Sequence, residues 1–195
     1  MRHAGMDREV AKTWAHWHKE TLADLLGILL GGPAVVRAMM DLFSRPRRIV
    51  MQFRAHDSHP TTYLRVFVST YTLRRLGFSK EADSLERLWK IRYPLDQGHR
   101  IPEPLLKTAP QAIPIIVKTL IWSRYSELHG KRLVDLVHYT QRTHEDVLAG
   151  ARMLVDGRPP STLPKRHIIS AGVYAFEQSP DRALVIRRAM FKALE

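Results

Sequence analysis

Apolar residues recur at every third or fourth position through nearly the whole chain, and no stretch alternates apolar and polar residues with a period of two. The pattern predicts an all-α fold, an irregular multi-helix bundle of about eight helices, with an appended C-terminal helical lobe as an open alternative. Gly31-Gly32 followed by Pro33 predicts the turn of a helical hairpin, since glycine favours helix ends and proline favours helix starts. The predicted helices cover about 8–30, 33–43, 58–77, 79–94, 111–129, 131–154, 164–177 and 180–194.

Prolines are concentrated in the middle of the chain, at positions 94, 102, 104, 110 and 114. Because proline lacks a backbone donor and stiffens extended segments, this stretch predicts a surface connector over 95–110. The connector would separate a helical segment, 1–94, from a C-terminal helical lobe, 111–195.

The amino-acid composition limits the metal ligands, the location and the partners that this chain can have. The chain has 195 residues, 45% of them hydrophobic, so it can bury a substantial core, and it has no cysteine, so any metal ion would need His, Asp or Glu ligands. No apolar stretch is long enough to span a bilayer or resembles a signal peptide, and we therefore expect a cytoplasmic protein. The net charge of +12 favours association with a polyanion, an anionic membrane surface or an acidic partner.

The first predicted helix carries His16, Glu20 and Asp24 at intervals of four residues. Residues spaced in this way share one helical face, so an imidazole and two carboxylates could surround a cation. The alternative is an ordinary solvated polar stripe opposite the core.

Two motifs resemble a known family. The segment Glu20-x-x-Ala23-Asp24, followed by Gly27 and by Gly31-Gly32-Pro33, resembles the glutamate-bearing helix of gluzincin-type zinc metallopeptidases, which combine H-E-x-x-H with E-x-x-A-D. Ser58-His59-Pro60 with Arg65 resembles the segment that follows this helix in the same family. The resemblance covers about residues 14–94 and does not extend to 95–195.

The resemblance implies zinc as a cofactor and a peptide or protein as substrate. Glu20 would be the third zinc ligand and Asp24 its supporting neighbour, with His16 as a further candidate ligand from its spacing. His59 and Arg65 would lie near the site, where they support it or contact substrate.

The H-E-x-x-H motif, which supplies two zinc ligands and the general base, is missing from all 195 residues. The nearest match begins at His144 and has Leu148 where the second histidine should be. The chain is therefore expected to resemble the C-terminal half of a zinc metallopeptidase and to be inactive alone. Three explanations stay open: part of a longer enzyme, a degenerate relative, or a site rebuilt from other histidines such as His16, His18 and His59.

Other histidines have plainer interpretations. His138 and His144, six residues apart, point in different directions on a continuous helix and are expected to be ordinary surface or boundary residues. His167, which follows Lys165-Arg166, is expected to belong to a basic patch. No phosphate-binding loop, dinucleotide-binding motif or serine-hydrolase motif is present.

The alternative function is a basic all-α module that binds nucleic acid or another acidic partner. Arg45, Arg47 and Arg48 are the candidate anion-binding residues, although the basic residues are dispersed and no nucleic-acid motif surrounds them. A third possibility is an oligomeric structural protein that assembles through the apolar hairpin from Leu25 to Met40. The sequence leaves the oligomeric state open.

Overall fold

The computed structural model describes residues 8–95 and 98–195, and these form an all-α fold, as the hydrophobic pattern predicts. Over these two ranges there are eleven α-helices rather than about eight, and β-structure is limited to two isolated bridges. The helices are α1 (Arg8–His16), α2 (His18–Gly31), α3 (Pro33–Phe43), α4 (Arg47–Val50), α5 (Thr62–Arg75), α6 (Ser79–Arg92), α7 (Glu103–Val117), α8 (Leu133–Leu136), α9 (Gln141–Val155), α10 (Lys165–Gln178) and α11 (Ala183–Leu194).

The first predicted helix is divided at Trp17, which lies in a turn between α1 and α2. Its indole is buried and meets Trp14 and Phe53 edge-on, with ring centroids 5.3 Å and 6.1 Å away. Trp17 Nε1 also donates a hydrogen bond to the carbonyl oxygen of Asp57 at 3.1 Å. The interruption therefore anchors the loop that precedes α5.

The predicted hairpin of α2 and α3 is confirmed, and Gly32 forms its turn with a φ of 63°. Leu25, Ile28 and Val36 are buried within the core of this chain and are not available for the self-association considered from the sequence. Leu30, in contrast, is 43% exposed, and Met39 and Met40 are only partly buried.

The proline-rich stretch is not extended throughout, because α7 begins at Glu103 and contains Pro110 and Pro114 in its interior. The side chains of Leu105, Ala109 and Ile113 recur on one face of α7 and are buried. Burial of this apolar stripe against the core stabilises the helix despite the backbone hydrogen bonds that proline removes.

The predicted helix 131–154 is divided into α8 and α9 by the non-helical residues 137–140. Thr140 caps α9, since its Oγ1 accepts a hydrogen bond from the backbone N–H of Thr143 at 3.0 Å. Tyr139, buried in the same interruption, packs against the turn of the α2–α3 hairpin at Gly32.

One hydrophobic core extends from Val10 to Ala189 and includes residues of both predicted lobes. Helix α10 packs on α9 and α11 and also contacts α2 and α3, while α7 packs against α5. Among the helices that the structure describes, none is long and apolar enough to cross a membrane.

Candidate functional site

The imidazole of His59 lies between two carboxylates. Its Nε2 is 3.2 Å from Oε2 of Glu20, and its Nδ1 is 3.3 Å from Oδ1 of Asp57. The same Asp57 oxygen accepts a hydrogen bond from the backbone N–H of His59 at 3.1 Å. The hydrogen bond from this backbone N–H, assisted by the His59 ring and by Arg54, lowers the pKa of Asp57.

Asp24 and Arg65 form a second pair, one helical turn further along α2. Arg65 donates through Nε and a terminal nitrogen to the two carboxylate oxygens, at 2.8 Å and 2.7 Å. Each side chain is only 14% exposed, and the guanidinium group also lies over the ring of Phe43 at 4.5 Å. Such a two-pronged ion pair fixes both distance and orientation between α2 and α5.

Local sequence explains why these four residues meet. Glu20 and Asp24 are four residues apart on α2 and therefore share a face. On the other side, His59 precedes Pro60, which disfavours helix in the residue before it, so helix α5 begins only at Thr62. His59 thus remains in the loop beside Glu20, while Arg65 lies in the first turn of α5 beside Asp24.

A zinc site is only partly present in these residues. No group of three or more His, Cys, Asp and Glu side chains within residues 8–95 and 98–195 could hold a metal ion. Glu20 and Asp57 lie at opposite ring nitrogens of His59, so they cannot both bind a metal ion that His59 holds through one nitrogen. Asp24 is engaged by Arg65, and His16 is the exposed last residue of α1. The donors do not complete a tetrahedral zinc site, because only Glu20 and His59 could share one ion.

The three arginines proposed to bind anions have different environments. Arg45 and Arg48 are exposed, whereas a terminal nitrogen of Arg47 donates a hydrogen bond to the carbonyl oxygen of Pro94 at 3.2 Å. The hydroxyl of Tyr93 donates to the carbonyl oxygen of Arg45 at 2.9 Å. Arg47 therefore helps to hold the segment after α6, and the outward charge in this region comes from Arg45 and Arg48.

The structure corrects the interpretation of His144, which is buried rather than a surface or boundary residue. The rings of Phe78, Tyr139 and Tyr174 surround it at 5.4 Å, 6.1 Å and 5.6 Å, and its Nε2 is 3.6 Å from Oε1 of Glu81. The sequence contains a signal for this burial, because the positions three, seven and ten residues after His144 are the buried residues Val147, Ala151 and Leu154.

His167 is also buried and does not belong to an exposed basic patch, so that prediction was wrong. Its ring meets the ring of Tyr139 at 5.8 Å, and it lies on the face of α10 that also buries Ser170, Ala171 and Tyr174. Burial, together with the neighbouring Arg166, lowers the pKa of His167.

Comparison of the chain with protein-family models, with curated proteins and with solved structures finds no match in any of the three. The contacts around Glu20, Asp24, His59 and Arg65 are therefore the basis for a functional proposal.

Proposed function

We propose that this chain is the helical body of a zinc-metallopeptidase-like protein and that it has no peptidase activity by itself. The observation that carries the proposal is the pairing of Glu20 with His59 and of Asp24 with Arg65. All four residues were singled out by their resemblance to the metallopeptidase motifs. Each pair joins one residue of the first motif to one residue of the second.

The correspondence of the two pairs is informative because the paired segments are far apart in the chain. Asp24 and Arg65 are separated by 41 positions. Since Glu20 and Asp24 share a face, a different register of α2 against α5 would separate both pairs at once. The largely buried Asp24–Arg65 pair suits the role of fixing the orientation of α2, and hence the direction of the Glu20 carboxylate.

The missing H-E-x-x-H motif supports the proposal that this chain does not hydrolyse peptides. Zinc peptidase chemistry of this kind requires two histidine ligands and a general base from H-E-x-x-H, and these residues do not occur in the 195-residue sequence. Glu20 and His59 could supply two ligands, which is enough for weak metal binding but leaves the zinc coordination incomplete. We assign no hydrolytic step to these residues.

Calorimetric titration of the purified chain with zinc tests the assignment of Glu20. We expect one weak site, whose affinity falls by at least about tenfold in the Glu20→Gln and His59→Ala variants. The matched control is Glu103→Gln, because Glu103 also contacts a histidine, with Oε1 3.3 Å from Nε2 of His99. That variant should bind zinc like the parent chain.

Two results would overturn the proposal. If zinc does not bind, or binds equally well to the Glu20→Gln variant, Glu20 is not a metal ligand. A fluorescent unfolded-protein substrate with added zinc tests the second half of the proposal, and we expect no hydrolysis. Zinc-dependent hydrolysis that disappears in Glu20→Gln would instead indicate a rebuilt catalytic site.

Binding of nucleic acid or another acidic partner is the second candidate function, and the net charge of +12 favours it. A generic DNA duplex should then bind weakly, with an affinity that falls steeply as salt increases. Failure to bind at low salt would exclude this candidate for DNA.

A further inference from the structure

The outward face of α11 carries large apolar side chains that are in contact with water. Leu184 and Phe191 are 62% and 61% exposed and lie seven residues apart, so they lie on the same face two turns apart. Ile186 and Ala189, on the opposite face, are buried and hold the helix on the core. Leu184 and Phe191 are therefore not needed to hold α11 on the rest of the protein.

Positive side chains flank these two apolar residues. Arg187 and Arg188 lie between them in sequence and Lys192 follows, and all three are exposed. Helix α11 contains no acidic residue, and none of the three cations forms an ion pair with any residue in the described part of the chain. These three cations are therefore free to contact a ligand, and the nearest acidic residues in sequence, Asp181 and Glu195, lie just beyond the two ends of the helix.

The start of α10 extends the same surface. Lys165, Ile169 and Gly172 follow one another on one stripe of α10, with spacings of four and three residues. The ends of this stripe touch α11, because Lys165 donates a hydrogen bond to the carbonyl oxygen of Leu194 and Gly172 lies against Met190. Ile169, which is exposed, therefore adjoins the C-terminal half of α11.

We propose that this surface docks the protein onto an anionic lipid membrane. The name α10–α11 surface denotes the exposed residues Lys165, Ile169, Leu184, Arg187, Arg188, Phe191 and Lys192. Helices that lie in a membrane interface combine Lys and Arg with exposed Leu and Phe. The cations contact lipid phosphates and carboxylates, and the apolar side chains enter the boundary of the acyl chains.

The mixture of side chains favours lipid over nucleic acid as the occupant. Arginines and lysines suit phosphates of either kind, but a duplex bound by phosphate contacts would leave Leu184 and Phe191 in water. A bilayer removes both from water. The net charge of +12 also attracts the whole protein towards a negative surface before the apolar residues make contact.

Sedimentation with lipid vesicles tests the proposal. The parent chain should bind vesicles of about 70% phosphatidylcholine and about 30% phosphatidylserine at low ionic strength, and pure phosphatidylcholine much less. The double reversal Arg187→Glu/Arg188→Glu should weaken binding by about tenfold or more, since each cation near the surface contributes about fivefold. The double variant Leu184→Ser/Phe191→Ser should weaken it as well, and circular dichroism verifies that both variants are folded.

The matched control is Arg87→Glu/Arg92→Glu, which makes the same change of net charge at two exposed arginines of α6. It should retain most of the binding. If this control binds vesicles as weakly as Arg187→Glu/Arg188→Glu, attraction is due to overall charge alone and the proposal is wrong. If Leu184→Ser/Phe191→Ser binds like the parent chain, the apolar side chains do not enter the membrane, and the proposal is also wrong. Binding of a DNA duplex through Arg187 and Arg188, without binding to vesicles, would also overturn it.

Discussion

At the scale of single residues, the Asp24–Arg65 pair is the interaction around Glu20 that is most removed from water. Replacing Asp24 by alanine would leave Arg65, whose side chain is only 14% exposed, without its carboxylate partner. Because an unpaired buried charge is strongly unfavourable, we expect Asp24→Ala to lower the free energy of unfolding by about 2–4 kcal/mol. Urea denaturation followed by circular dichroism measures this change.

The control for this prediction is Arg158→Ala. Arg158 pairs with Asp156 at 2.8 Å, but both side chains are more than half exposed, so the expected loss is about 0.5 kcal/mol or less. Replacing both charges, as in Asp24→Leu/Arg65→Met, should be less harmful than Asp24→Ala because no charge is left unpaired. Equal losses for Asp24→Ala and Arg158→Ala would contradict the role assigned to the buried pair.

Sequence reasoning anticipated part of the candidate site at this scale. The spacing of Glu20 and Asp24 predicts their common face, and the family resemblance singles out His59 and Arg65. Asp57 was missed because it lies in a loop, where side-chain positions follow no helical period, and where the indole of Trp17 holds the backbone. The burial of His144 was not predicted, because its polar side chain was considered ahead of its position on the apolar stripe of α9.

At the scale of elements, the α2–α3 hairpin depends on Gly32. Its φ of 63° and ψ of −147° suit glycine, and a Cβ atom there would lie 2.2 Å from a ring carbon of Tyr139. We expect Gly32→Ala to destabilise the protein by more than about 3 kcal/mol, since backbone strain and a steric clash combine. Thermal denaturation measures the effect.

Gly130 is the matched control for Gly32. It also has a positive φ, 76°, but a Cβ atom there would meet nothing within 4 Å. Gly130→Ala should therefore lose only the backbone term, about 1–2 kcal/mol. A loss as large as that of Gly32→Ala would show that contact with Tyr139 is not what makes Gly32 necessary.

Helix boundaries in the second half of the chain were harder to predict than the hairpin. Proline disfavours helix locally, but in α7 the burial of Leu105, Ala109 and Ile113 outweighs that preference. Conversely, the apolar pattern of 131–154 continues across residues 137–140, where the chain leaves the helix so that Tyr139 can be buried. Both outcomes depend on tertiary packing, which local patterns do not contain.

At the scale of the whole molecule, the environment of His144 connects the two predicted halves of the chain. Phe78 and Glu81 come from the start of α6, whereas Tyr139 and Tyr174 come from the second half. Burial lowers the pKa of His144, and nearby Arg37 acts in the same direction, while Glu81 opposes the shift. The neutral imidazole is therefore the form that fits this packing.

This depressed pKa makes the stability of the protein sensitive to mild acid. In the unfolded chain a histidine binds its proton below about pH 6.5, but in the folded protein His144 does so only at lower pH. Between these two values the unfolded state binds more protons, so the free energy of unfolding falls as the pH decreases below about 6.5. Urea denaturation at several pH values between about 5 and 7 should show this dependence of the free energy of unfolding on pH.

His144→Gln should reduce the slope of the free energy of unfolding against pH, whereas His138→Gln, at an exposed position, should leave it unchanged. An unchanged slope in His144→Gln would mean that the acid sensitivity arises elsewhere, with His167 as the next buried histidine to replace.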